Sequence, residues 1–274
     1  MNKPNLFVIG APKCGTTFLF EKLQSHPDLF FPKIKELNYF SLEQLNKDSY
    51  YKDYKANSLD KYLRFYDTAK DQKYLVDASV SYFTFDDIPA KIKEFNPEAK
   101  VIMLVRNPYK RCYSHYVMDQ RMGYATKPLH EYLADEKSFH YRQYISNSKY
   151  YEQLKKYQNY FKPENIFIIE LERFEDDFNK IFTFLNIEPI HIDFNARVNE
   201  NKIAANSLGK FAQKNRGLIE RLKLLVPKRI ISTLKSFVYR KAPKTEIPKQ
   251  DLELIKRIVD SDYAQFQKVI TNEG

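Results

Sequence analysis

The sequence predicts an α/β fold in which a central, mostly parallel sheet is flanked by helices. Three observations carry this. Short apolar runs recur at LFVIG (6–10), KYLVDAS (73–79), AKVIMLVRNP (99–108) and NIFIIELERF (165–174). Polar segments of helical composition lie between them, such as 86–95 and 149–161. The first run also passes through a glycine-bounded loop straight into TTFLFEKLQSH. Strands that alternate with helices assemble into a parallel sheet covered on both faces.

The first unit is half of a βαβ motif, with Phe18, Leu19 and Leu23 as the helix face that packs on the sheet. The third run delivers Arg106 at its end, Asn107-Pro108 breaks it, and a helix carrying Ser114 on its second turn follows. Beyond 190 the pattern becomes helical: 208–240, interrupted at Pro227, and a final helix over 248–270 beginning near Pro248. No repeat period is visible, and the Tyr/Lys richness of 46–66 is the limit of compositional bias.

With 274 residues the chain is expected to form one domain, 1–274, whose part from 206 to 274 is helical and basic. Residues 1–9 leave little room for a signal peptide before the loop, and no run reaches the ~18 apolar residues of a membrane span. A soluble, cytoplasmic protein is the expectation. Cys14 and Cys112 stand far apart without CxxC or His-rich company, so reduced thiols and no metal site are expected. The net charge is +10, and residues 206–246 hold eleven Lys and Arg against Glu220 and Glu246. Such a segment suits a nucleic acid, a membrane surface or an anionic ligand, or is simply a solvated helix face.

The loop GAPKCGTT (10–17) is P-loop-like, with the lysine displaced. In a nucleotide-triphosphatase loop the lysine follows the second glycine directly and a hydroxyl residue next to it holds magnesium. Here Thr16 follows Gly15 and Lys13 lies inside the loop. The glycines let the backbone turn its N–H groups toward an anion, and the helix starting near Thr16 adds its positive end. The VIMLV run ends in Arg106 and the IFIIE run is followed by Leu171, so neither offers a magnesium-binding acid after its strand. A group with less charge than a phosphoryl, such as sulfuryl, fits one lysine plus backbone donors. Gly10 and Arg106 both fall at carboxyl ends of strands, where open α/β sheets bind ligands. Arg106 and Ser114 would therefore take a second, separate phosphate in the same crevice.

These two segments, GAPKCGTT and VRNPYKRCYSHY, lie in the same order and about 90 residues apart as in the sulfotransferases that use 3′-phosphoadenosine 5′-phosphosulfate (PAPS). The chain resembles that family, most nearly its glycan-modifying, heparan sulfate type branch. The likeness spans residues 5 to about 190 and includes HPDLFFPKIKELNYF (26–40), DASVSYF (77–83) and IFIIELERFEDDFNKIFTFLNIEP (166–189). It implies that Lys13, Cys14, Gly15, Thr16 and Thr17 form the 5′-phosphosulfate loop, with the Cys14 side chain serving as packing. It implies too that Arg106 and Ser114 hold the 3′-phosphate, and that Lys202, Lys210 and Arg216 are candidates for a basic loop closing over the nucleotide.

Transfer to a hydroxyl or amine needs a base for the acceptor's proton. The glycan branch is similar in placing a glutamate shortly after the first helix, which here is Glu36 in KIKELNYF. None of the five histidines, His26, His115, His130, His140 and His191, follows DASVSYF where the cytosolic branch would need one. Read without the resemblance, Glu36 would be a surface acid paired with Lys33 or Lys35. Lys13 would steady the departing phosphate, Lys35 is a lesser candidate for acceptor or sulfate, and Asp77, Ser81 and Tyr82 are expected to line the crevice.

The expected reaction is thus metal-free sulfuryl transfer from PAPS to a carbohydrate or glycolipid, without nucleic acid and with peripheral membrane contact through 206–246 as a further option. Two alternatives stand beside it. One is a magnesium-dependent nucleotide kinase with an altered P-loop. The other is a non-enzymatic binder of nucleic acid or membrane surface, built on the basic region with Leu218, Leu222, Leu225, Ile230, Leu234 and Phe237.

Overall fold

Near-continuous apolar runs, buried on both faces, are what parallel strands require. The structure is a computed structural model that describes residues 2–53, 55–194, 202–204, 239–241 and 246–272. Strands β1 (Leu6–Gly10), β2 (Leu29–Phe30), β3 (Tyr74–Asp77), β4 (Lys100–Val105) and β5 (Ile166–Glu170) form a five-stranded sheet in the order β2-β3-β1-β4-β5. Every pairing in it is parallel, with Leu6 opposite Val76 on one side and Phe7 opposite Val101 on the other. The four expected strands are present; β2 is an addition. Because the chain runs from β1 to one side and returns as β4 on the other, the strand order reverses between them. The carboxyl ends of β1 and β4 thus lie at the switch point where open α/β sheets place their ligand crevice.

Helix α1 (Thr16–Leu23) buries Thr16, Leu19, Phe20 and Leu23, the single stripe that 3.6-residue spacing produces. Helices α2 (Leu42–Asp48) and α3 (Leu59–Arg64) precede β3, and α4 (Ile88–Phe95) precedes β4. Four helices lie between β4 and β5: α5 (Pro108–Met122), α6 (Leu129–Leu133), α7 (Phe139–Tyr144) and α8 (Tyr150–Gln158). Helix α5 carries its own boundaries. The Asn107 side chain accepts from the Lys110 amide, Pro108 occupies the first turn, and Gly123 ends the helix at φ 81°. Helix α9 (Phe174–Leu185) follows β5 and buries Phe174, Phe178, Ile181, Phe182 and Leu185.

Among the described residues of the C-terminal part, β6 (Lys202–Ala204) pairs antiparallel with β7 (Tyr239–Lys241). Tyr239 and Arg240 are thus strand, which corrects the helix expected to run to 240. The rest of that segment, with Lys210 and Arg216, lies outside the described residues, and of Lys202 only the strand backbone is described. The final helix, α10 (Lys249–Asn272), begins within a residue of its expected start. Its Asp262 carboxylate accepts from the Tyr151 and Glu152 amides at 3.1 and 2.9 Å, closing the open N-terminus of α8. Phe266 packs on Tyr150, while Ile255 and Val259 join Cys112, Tyr113 and Tyr116 in a second apolar cluster.

Candidate active site

The loop after β1 requires unusual backbone at three places. Gly10 has φ 138°, and a Cβ there would come within 2.7 Å of Phe83 Cβ, so no side chain fits. Lys13 adopts φ 71° and Gly15 φ 88°. A non-glycine residue held in the left-handed region is strained, and such strain gathers at functional sites. Gly15 is the N-cap of α1 and supplies no side-chain acceptor to the helix. The first-turn amides of α1 therefore receive no side-chain cap from the chain's own cap residue.

Cations surround this loop. The Lys13 ammonium lies 3.4 Å from Met118 Sδ on α5, and the residue is half-buried. Burial first, then the neighbouring charges of Arg121, Arg106 and Arg111, lower its pKa to about 8, with Asp119 opposing. Arg106, directly after β4, donates through Nη1 to the Lys13 carbonyl at 3.1 Å. Its Nε is buried with no hydrogen-bond partner among the described residues, an orphaned donor of the kind that a bound anion satisfies. Ser114 is half-buried on α5, one turn before Met118 and two before Arg121.

Arg111, which sequence reasoning passed over, is wholly buried. Its Nε donates to Ser148 Oγ at 2.7 Å, Nη2 to the carbonyls of Gln143 and Tyr144, and Nη1 to the Pro12 carbonyl at 3.5 Å. His115 Nδ1 is 3.4 Å from Nη1, and its Nε2 meets Tyr51 Oη. Burial and the Arg111 charge push the His115 pKa well below the ordinary range. His115 is thus a ring held within the fold. Tyr51, Tyr50 and Tyr144 all donate to the Asp119 carboxylate, whose pKa is raised by burial.

The opposite wall is the turn after β2. Glu36 adopts φ 61° and its amide donates to the Ala78 carbonyl at 3.1 Å, at the end of β3. Lys35 Nζ stands 3.2 Å from Glu36 Oε1, 3.1 Å from Thr16 Oγ1 and 3.4 Å from Thr17 Oγ1. The structure thus brings Glu36 to the loop through one intervening ammonium. The Glu36 side chain keeps 40% exposure, enough to meet a ligand from solvent. The pairing with Lys35 that a surface acid would show is also present, at the mouth of the crevice.

Three expectations change. Asp77, Ser81 and Tyr82 do not line the crevice, because their polar atoms are spent on one another's neighbourhood. Asp77 is fully buried and accepts from Tyr62 and Tyr82, each at 2.7 Å, and from Ser79 at 2.5 Å. Ser81 bonds Asn38 and Ser41, and Asn38, at φ 55°, continues the turn that carries Glu36. His26 donates to the Glu188 carbonyl and accepts from the Asp28 amide, a ring satisfied within the fold. Cys14 packs as expected: it is fully buried against Tyr150, and burial raises its thiol pKa to about 11. Among the described residues no group of three or more His, Cys, Asp or Glu converges as a metal set.

Comparison with known proteins assigns the family. A crystal structure of a sulfotransferase from Alicyclobacillus acidocaldarius superposes with a TM-score of 0.61 at 26% identity, covering 73% of this chain and 88% of that one. The membrane-associated sulfotransferase kil1 of Dictyostelium discoideum is 34% identical over 116 residues, 41% of this chain and 22% of its own. Mouse carbohydrate sulfotransferase 15 is 26% identical over 175 residues, 48% of this chain and 30% of that protein. Human bifunctional heparan sulfate N-deacetylase/N-sulfotransferase 1 is 31% identical over 117 residues, 41% of this chain and 12% of that protein. The chain therefore spans under a third of the length of each of these three relatives. The sulfotransferase domain model matches residues 3–203, a stretch that holds the loop, Glu36, Arg106 and Ser114, and the chain belongs to that family.

Proposed function

We propose that this chain moves the sulfuryl group from PAPS to a hydroxyl or amine of a carbohydrate or glycolipid, with Glu36 as the base. One observation carries the reading: a cationic loop with open helix-end donors and an accessible carboxylate meet at one crevice, linked by the Lys35 contacts. Lys13, Gly15, Thr16 and Thr17, with the Cys14 backbone, would hold the 5′ side. Arg106 and Ser114 would take the 3′-phosphate, for which the unpartnered Arg106 Nε is a fitting donor. Lys202 and Lys210 are proposed for the closing loop, and 1–274 for a single catalytic domain.

In the transfer, Glu36 accepts the acceptor's proton as the new bond to sulfur forms. Charge grows on the departing phosphate, and Lys13 with the loop amides offsets it where water is largely excluded. The carbohydrate class is supported by the names of the two mammalian relatives. No helix among the described residues is long and apolar enough to cross a membrane; we propose a cytoplasmic enzyme with peripheral membrane contact through the basic segment 206–246.

The test is incubation of the purified protein with sulfur-labelled PAPS and extracts of its source cells, followed by identification of the labelled product. Adenosine 3′,5′-bisphosphate without magnesium should raise the melting temperature more than ATP with magnesium, by an increment that follows ligand excess over Kd. The reverse order would favour a kinase, and a labelled product with no sugar would overturn the acceptor class.

A further inference from the structure

Two lysines reach the loop, and they stand at different places. Lys13 sends its ammonium away from the start of α1, onto Met118 Sδ at 3.4 Å. Lys35 stands at the helix start itself, 3.1 Å from Thr16 Oγ1 and 3.4 Å from Thr17 Oγ1, with its side chain 15% exposed. Its other partner is Glu36 Oε1 at 3.2 Å.

The direction of these bonds matters. An ammonium only donates, so both threonine hydroxyls accept from Lys35 and keep their own hydrogens for another acceptor. A hydroxyl that accepts from a cation is polarised and donates more strongly. The α1 amides add donors at the same spot, since the Gly15 cap gives them no side-chain partner. An anionic oxygen bound by either threonine would lie within one hydrogen bond of the Lys35 ammonium. On its other side that ammonium already touches the carboxylate proposed as base.

We propose that Lys35 is a catalytic residue that touches the transferred sulfuryl group, leaving the phosphates to Lys13 and Arg106; this rests on the reading of the site as a PAPS-dependent sulfotransferase. In the step, the acceptor atom forms its bond to sulfur while the bond from sulfur to the bridging oxygen breaks. The electron pair of the broken bond leaves on the 5′-phosphate, and the acceptor's proton passes to Glu36. No proton leaves Lys35. As Glu36 becomes neutral its hold on the ammonium weakens, so the charge of Lys35 is released toward the sulfuryl oxygens while transfer proceeds. That interaction strengthens on the way to the transition state, which is the condition for it to raise kcat.

The sulfuryl group is the difference between PAPS and adenosine 3′,5′-bisphosphate, so a binding ratio tests the assignment without any acceptor. In the full chain, Lys35→Met should weaken PAPS binding about tenfold or more, the size of one lost charge-assisted hydrogen bond. Bisphosphate binding should change by less than about twofold, since its phosphates keep their partners. Lys35→Arg should restore most of the PAPS affinity, and Lys35→Gln serves as a second neutral variant should the methionine form fold poorly. Equal losses for the two nucleotides, or unchanged PAPS binding in both neutral variants, would overturn the proposal. Wild-type protein that binds neither nucleotide would instead refute the donor itself, and the role of Lys35 with it.

Discussion

The Arg106 guanidinium donates to the carbonyl of Lys13 at 3.1 Å, so the end of β4 is tied to the middle of the loop that follows β1. The two expected anion sites are therefore mechanically one unit. Residues in contact do not contribute independently. Arg106→Ala should weaken bisphosphate binding and Lys13→Ala should chiefly lower kcat, and the double variant should depart from additivity by about 0.5–3 kcal/mol. Calorimetry on the four proteins of the cycle measures this; because Lys13→Ala keeps the accepting carbonyl, strict additivity would mean that the two side chains do not couple through the loop.

Lys13 gives a pH dependence with a definite sign. Burial and three arginines bring its pKa down to about 8, so the free protein loses the ammonium's charge as pH rises through that value. Bound anionic phosphates favour the charged form. Bisphosphate affinity should fall above pH 8, with proton uptake on binding, and Lys13→Met should remove the inflection. Stability runs the other way. The cost of burying the charge is present below the folded pKa and disappears as pH rises toward the unfolded value of 10.5. Lys13→Met should therefore be more stable than wild type at pH 7, by roughly 2–3 kcal/mol, with the advantage lost near pH 10.5. Denaturant titrations at the two pH values check it.

Glu36→Gln keeps the shape of the side chain and much of its hydrogen bonding but cannot take the proton. Turnover should fall by roughly 10² to 10⁴, with bisphosphate affinity retained. Because Glu36 is exposed at 40%, the substitution should leave stability within about 0.5 kcal/mol. Sulfate transfer at the wild-type rate in this variant would remove Glu36 as the base.

Asp77 separates support from catalysis. Its carboxylate accepts from Tyr62, Tyr82 and Ser79 inside the core. Asp77→Ala strands three hydroxyls and should cost about 3 kcal/mol or more. Asp77→Asn retains an acceptor and should cost less, with turnover close to wild type in the folded protein. A stable Asp77→Asn with turnover reduced a hundredfold would make Asp77 part of the chemistry.

Much of the framework could be read from the residues alone. Gly10 and Arg106 each close an apolar run, with Pro12 and Asn107-Pro108 breaking the strand soon after, so their common edge of the sheet follows from parallel topology. Asn107-Pro108 and Gly123 bracket α5 by capping chemistry that is local in sequence. Strand β2 was hidden because Leu29 and Phe30 are too few to show any period. Arg111 was missed for a different reason. An arginine on a helix is ordinarily solvated, and this one is buried only because carbonyls of Gln143 and Tyr144, more than 30 residues away, supply its acceptors. Asp77 was misread in the same way, since Tyr62 and Tyr82 reach it only in the folded chain. The nearness of Lys35 to Thr16 likewise depends on β3 holding the Glu36 turn, which no local pattern encodes.

Tyr150 joins two stretches that are far apart along the polypeptide. Its hydroxyl meets the Arg106 amide and lies by Cys14 in the loop, while Phe266 packs on its ring and Asp262 caps the helix that starts with it. During synthesis the loop leaves the ribosome more than 230 residues before these last contacts arrive. A nascent chain stopped at residue 248 should already pair β1 with β4 yet hold its loop against an α8 whose first amides lack their carboxylate. Nucleotide competence should therefore lag behind sheet formation and appear when α10 docks, a delay that bisphosphate protection of arrested chains against protease would register.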